Sequence, residues 1–223
     1  MQFAVQFKVN EHIFLKNPER SELGRQIIKG SIDLMHASGY EHFTFKKLAA
    51  ALGTTEATIY RYFENKHRLL LYILNWYWCY MEYLVEIKLQ NITDKKQRLT
   101  TIIALLTEAL PDGTNQDDYN KNYLNQIVIR ESSKVYLVRD VIEFNKEEVF
   151  KPYKDLCAKI ADVIAVYNPK YPYPRSLSTT LIESAHDQQY FVANLPRLTD
   201  VNLRSKKNFT YTFLVDMVFR VLG

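Results

Sequence analysis

The stretch FTFKKLAAALGTTEATIYRYFENK, Phe43 to Lys66, constrains the fold more than any other part of the chain. It holds two short runs of helical periodicity with one glycine, Gly53, between them. Thr44 is suited to cap the first run, in which Phe45, Leu48, Ala49 and Leu52 share a face. Thr54 or Thr55 is suited to cap the second, which carries Ala57, Ile59, Tyr60 and Phe63. Two helices joined by only a few residues make the architecture of a helix-turn-helix. An ordinary helical hairpin with threonine caps and surface tyrosines would have the same spacing.

The rest of the chain is helical in pattern too. Residues 1–20 alternate weakly and suit an N-terminal arm or extension. Asn17-Pro18 reads as a helix start, with a capping side chain followed by Pro at the first helical position. From Ser21 the residues Leu23, Ile27, Ile28, Ile32, Leu34 and Met35 recur at roughly helical spacing, and Ser38-Gly39 ends the run. Asn65 caps a fourth helix from Lys66 to about Ile92. Further helices are expected over Asp94–Leu110, from Tyr119 to about Ser132, and from about Arg139 to Tyr167 with a bend at Pro152. Pro111-Asp112-Gly113 is a turn, and the prolines of NPKYPYP break the helical pattern. Leu177–Leu195 and Asn208–Leu222 complete it. The expectation is an all-α protein of about nine helices.

Composition agrees. The chain of 223 residues is 47% hydrophobic and 24% charged, with only 6 Gly and 7 Pro, which leaves little room for a turn-rich β fold. A net charge of +4 permits an anionic partner without demanding one. Cys79 and Cys157 have no metal-ligand spacing around them and read as reduced thiols of a cytoplasmic protein. The longest apolar stretch is interrupted by Asn75 and Glu82 and suits a buried helix better than a membrane span. His186-Asp187 have no credible serine or cysteine partner, and there is no Gly-rich phosphate loop, so no catalytic residues, cofactor or metal are expected.

The run from Thr55 to Phe63 has chemistry suited to a major groove, where the second helix of such a unit presents its N-terminal residues to base edges. Thr55 and Thr58 donate and accept hydrogen bonds, and their methyl groups suit a thymine methyl. Ala57 is small and lets the helix sit deep. Tyr60 and Tyr62 can bond phosphate oxygens, and Arg61 and Lys66 supply charge. Ile59 and Phe63, four apart, would anchor the inner face on Leu48 and Ala49.

The stretch from Ile27 to Leu74 resembles the DNA-binding domain of the TetR/AcrR family of transcriptional regulators. The likeness lies in Ser38-Gly39-Tyr40, Thr44, Leu48-Ala49, Gly53, Thr58-Ile59-Tyr60, Tyr62-Phe63, Asn65-Lys66 and Leu69-Leu70, in that order. It implies a three-helix helix-turn-helix domain over 21–66 and a larger helical ligand-binding and dimerisation domain over 67–223. It also implies that Thr44, Thr55, Tyr60 and Lys66 contact phosphates, while Thr54, Ala57, Thr58, Arg61 and Tyr62 lie at or beside the groove. Many relatives carry Lys where this chain has Glu56. That carboxylate should accept from a cytosine amino group or point at Lys46 or solvent.

By the same resemblance, the fourth helix would carry motion from a ligand domain to the DNA heads. The expected partners are double-stranded DNA, a small-molecule ligand of unknown identity and a second copy of the chain, with no membrane. Trp76, Trp78, Tyr80 and Tyr83 are either core or the lining of a mainly apolar ligand pocket. Tyr190, Phe191, Phe213, Met217 and Phe219 offer apolar surface for a two-subunit four-helix bundle, though packing within one chain would also explain them. The implied function is a dimeric repressor released from a palindromic operator by a small, mainly apolar molecule. The alternative is a helical scaffold of the same fold, regulated by a protein partner without a pocket.

Overall fold

Many helix starts among the described residues are fixed by local capping bonds, and those of Thr44 and Thr55 are ones the sequence announces. A computed structural model describes residues 7–110, 119–136, 141–204 and 207–223. Among them are eleven α-helices and no strand. They are α1 (Glu22–Ser38), α2 (Phe45–Leu52), α3 (Glu56–Tyr60), α4 (Lys66–Leu89), α5 (Lys95–Thr107), α6 (Lys121–Glu131), α7 (Ser133–Tyr136), α8 (Val141–Lys146), α9 (Lys151–Tyr167), α10 (Pro174–Asn194) and α11 (Phe209–Leu222). Thr44, Thr55, Asp94, Asn120 and Asn208 each accept a backbone N–H from the first turn of the helix they precede. Such caps stabilise a helix by about 1 kcal/mol each.

The count exceeds nine for two reasons. After α6 the chain makes one further short helix, α7. The long helix expected to bend at Pro152 is two helices. Pro152 is the second residue of α9, where its missing N–H costs nothing. In an unbroken helix that N–H would have to reach the Glu148 carbonyl. Instead Lys151 N donates to Glu148 O at 3.0 Å, and Glu148 takes a left-handed φ of +55°. The expected start near Arg139 and the turn at Pro111–Gly113 lie outside the described residues. Pro174, the last proline of NPKYPYP, opens α10 three residues earlier than the apolar pattern suggests.

Near the N-terminus, Asn17-Pro18 starts a short 3-10 turn, and Ser21 is the true cap of α1, accepting from Gly24 N at 3.1 Å. Residues 7–20 are not a free arm. Val9, Ile13 and Pro18 are buried, Leu15 N donates to Tyr62 O at 2.8 Å, and Asn10 Nδ2 donates to Glu147 O at 2.7 Å.

The chain divides into two compact units. One takes in Met1–Tyr80 and Leu110–Pro152; the other takes in Met81–Ala109 and Tyr153–Gly223. In the first, Ile27, Ile28, Ile32, Leu48, Ile59, Phe63 and Leu69 through Ile73 are nearly inaccessible. Burial of each such side chain is worth about 1.5–3 kcal/mol. In the second, α5, α10 and α11 pack on one another through Leu99, Ile103, Leu181, Ile182, Leu214 and Val218. Asn208 Nδ2 donates to Thr107 O at 3.0 Å and ties the start of α11 to the end of α5. Among the described residues no helix is long and apolar enough to cross a membrane.

Candidate DNA-binding face

Helices α2 and α3 meet through a turn whose hydrogen bonds are all local. Gly53 takes a left-handed conformation, φ +62° and ψ +32°, and its N–H and that of Thr54 return to the carbonyls of Ala50 and Ala49. This double return ends α2 and redirects the chain within two residues. Thr55 then caps α3 by accepting from Thr58 N at 3.2 Å. Ile59 and Phe63 are fully buried and hold α3 against the apolar face of α2, where Leu48 and Ala49 are also buried.

With that face fixed, the opposite one is exposed. Thr55, Glu56, Ala57, Tyr60 and Arg61 are exposed, and so are Thr44 and Lys46 on the α2 side. Thr54 and Thr58 are half-buried. The Thr55 and Thr58 hydroxyls lie 3.0 Å apart, so either can donate a hydrogen bond to the other. Tyr60 rests its ring edge on Phe45, centroids 4.9 Å apart, and keeps 49% of its surface free. Glu56 is in the first turn of α3, where a carboxylate is favoured by the helix dipole. Among the described residues it forms no ion pair, with Lys46 or any other cation.

Two residues expected to reach DNA are turned inward. Tyr62 lies past the end of α3, is 3% exposed, and shares a 2.8 Å hydrogen bond between its hydroxyl and that of Ser21. Lys66 is half-buried: its Nζ donates to Tyr40 O at 3.2 Å, lies 3.5 Å from the carbonyls of Glu41 and Phe43, and sits 4.4 Å from the centre of the Tyr40 ring. It supplies a hydrogen-bond donor to the carbonyls of the turn before α2. Lys46, which the sequence suggests only as a partner for Glu56, is instead an exposed cation beside the face. Its position one residue after Phe45 on a two-turn helix is the signal that could have found it.

Elsewhere, Trp76 and Trp78 are core residues. Trp78 Nε1 donates to Tyr136 Oη, and Trp76 packs on Tyr80 and Tyr119 at centroid distances of 5.6 and 5.1 Å. Tyr80 and Tyr83 are half-buried. On α10 and α11, Tyr190 and Phe213 are exposed, and Phe191, Met217 and Phe219 are half-buried. Among the described residues no three His, Cys, Asp or Glu side chains gather as a metal ion would need.

Residues 27–73 match the family model described as bacterial regulatory proteins, tetR family. The fold is shared with solved structures of low identity. A transcriptional regulator from Rhodococcus sp. Rha1 is 11% identical over 93% of this chain and 96% of its own, with a TM-score of 0.64. AibR in complex with isovaleryl coenzyme A and operator DNA is 16% identical over 89% of this chain and 98% of its own, at 0.59. The fatty acid degradation regulator FadR from Bacillus halodurans is 20% identical over 89% and 97%, at 0.56. No curated protein matches the chain in sequence. The matched segment runs from Ile27 in α1 through α2, the turn and α3 to Ile73 in α4, and these residues form a helix-turn-helix domain of the tetR family.

Proposed function

We propose that the chain acts as a dimer that represses from a palindromic operator and is released when a small, mainly apolar molecule binds. The observation that carries the DNA half is the α3 face: a helix locked by Ile59 and Phe63 that turns Ala57, Tyr60 and Arg61 to solvent. On this reading Thr54, Glu56, Ala57 and Thr58 lie against base edges, and Thr44, Lys46, Thr55, Tyr60 and Arg61 meet phosphates. Tyr62 and Lys66 act from behind, by seating α3 and the turn before α2. Dimerisation through α10 and α11 would set two heads a whole number of helical turns apart, as a palindrome requires.

Ligand response has its support in relatives. AibR is solved in complex with isovaleryl coenzyme A and operator DNA, so one protein of this fold takes both kinds of partner. Physically, the ligand must prefer a conformation whose heads are wrongly spaced, because only differential affinity shifts the equilibrium. The test is selection from a randomised DNA pool by the purified protein, repeated with Tyr60→Ala and Arg61→Ala. Enrichment of a palindrome, lost in both variants, is the expected result. No enrichment at low and moderate salt sinks the DNA reading and favours a protein-regulated scaffold.

A further inference from the structure

The segment of residues 7–20 wraps a cavity of about 310 Å³ against Tyr72 of α4, at the small end of the range for ligand sites. Three aromatic side chains line it: Phe7, Phe14 and Tyr72. Phe14 and Tyr72 meet edge to face with ring centroids 6.0 Å apart. Four charged residues also line it, and they differ in how they are held. Lys8, Glu11 and Arg20 are exposed, so their charges stay hydrated at the rim. Glu19 is half-buried and fixed, its Oε1 accepting from the hydroxyls of Tyr72 at 2.9 Å and Tyr119 at 2.7 Å. Burial and the neighbouring Glu19 charge push the Tyr72 hydroxyl well above the usual phenol range, so it remains a donor. A carboxylate offers about four acceptor sites, so two phenols leave capacity for another donor.

The charge that this cavity holds in place is therefore negative, and three aromatic rings, a side-chain type whose π-system attracts cations, stand in its walls. We propose that the cavity binds a small organic cation, an ammonium on a compact apolar body, with the ammonium on Glu19 and the body among Phe7, Phe14 and Tyr72.

Occupancy reaches the DNA-binding face by short paths. Tyr72 meets Phe63 at 5.5 Å between centroids, and Phe63 is the fully buried residue that seats α3. The wrapping segment is bonded to the same place through Leu15 N to Tyr62 O, and the Ser21 hydroxyl meets that of Tyr62. A ligand that moves Phe14 or Tyr72 strains the support of α3. The effect on DNA rests on the regulator reading above; the binding itself does not.

The experiment titrates the full-length protein with 2-phenylethylamine and, separately, with phenylacetate, an anion of similar shape. Heat and backbone amide shifts are followed. The expected result is saturable amine binding with Kd between about 10 µM and 1 mM, and no comparable binding of the anion. The amide shifts should concentrate in residues 7–20 and around Tyr72. Glu19→Gln should weaken the amine at least about tenfold, the loss expected for a charge-assisted bond. If Glu19→Gln melts early, the shift map of the unaltered protein still decides. No saturation by about 10 mM amine, equal binding of phenylacetate, or shifts elsewhere overturns the site. Saturating amine should change affinity for the selected operator at least about threefold; an unchanged affinity overturns the coupling to α3. Amine binding without any DNA binding leaves the site standing and sinks the regulator reading. DNA binding without amine binding does the reverse.

Discussion

Arg61 and Tyr62 are adjacent, yet they face opposite ways: Arg61 is exposed on the α3 side and Tyr62 is buried with its hydroxyl on Ser21. Arg61→Ala should therefore lower operator affinity without changing the melting temperature. Its salt dependence should also flatten, by a slope of about 0.9 for the one phosphate lost. Fluorescence anisotropy at several salt concentrations reads both effects, and an unchanged slope would remove Arg61 from the phosphate contacts. Tyr62→Phe should do the opposite, keeping the salt slope while urea denaturation shows a loss of about 1 kcal/mol for the missing hydroxyl bond. The sequence could not separate Tyr60 from Tyr62. Both are hydroxylated aromatics, and α3 ends at Tyr60, so helical spacing stops being a guide one residue before Arg61's neighbour turns in. Lys66 was illegible for a different reason. Its partners are carbonyls of Tyr40, Glu41 and Phe43, more than twenty residues away, and nothing in its local sequence ties a lysine to so distant a turn.

At the scale of elements, caps were legible and long-range docking was not. Thr44, Thr55 and Asn65 announce their helices because a capping bond spans only two or three residues. The docking of residues 7–20 depends instead on Gly24 of α1, where a Cβ would stand 2.2 Å from the Pro18 carbonyl oxygen. The atoms met are backbone and not the end of a flexible side chain, so Gly24→Ala should lift the Pro18 turn off α1 and cost about 1–3 kcal/mol or more. Hydrogen exchange gives the specific readout: the Leu15 amide, bonded to Tyr62 O, should lose protection ahead of the amides of α4. Uniform loss would mean global destabilisation instead. On α10, burial pushes the His186 imidazole down to about 4 from the usual 6.5. Between those values the unfolded chain holds a proton that the folded chain lacks, so stability falls as pH drops from 6.5 toward 4 and is unaffected above 6.5. The loss should reach roughly 3 kcal/mol, and His186→Leu should remove this part of the pH dependence in denaturation curves. An equally steep loss in the variant would assign the acid sensitivity to carboxylates.

For the whole molecule, the all-α class and the helix-turn-helix were legible because each rests on periodicity and turn chemistry within a few dozen residues. The function of α10 and α11 was not, because an apolar helix face looks alike whether it meets its own chain or a second one. The structure sorts the residues. Leu181, Ile182, Leu214 and Val218 are spent inside the unit, while Tyr190, Phe213 and Val221 stay 36%, 38% and 46% exposed. A single head reads one half-site, and linking two heads raises affinity for a full palindrome by effective concentration alone. If α10 and α11 supply that link, Phe213→Glu places a charge in the interface and leaves the fold almost unchanged, since an exposed substitution usually shifts stability by no more than about 0.5 kcal/mol. Sedimentation should then show the unaltered protein at twice the chain mass and the variant at one. Affinity for an isolated half-site should stay the same, while affinity for the full operator should fall at least about tenfold. A variant that remains dimeric would move the interface off this face. An unaltered protein that is monomeric at micromolar concentration and still binds the full palindrome tightly would remove the dimer from the mechanism.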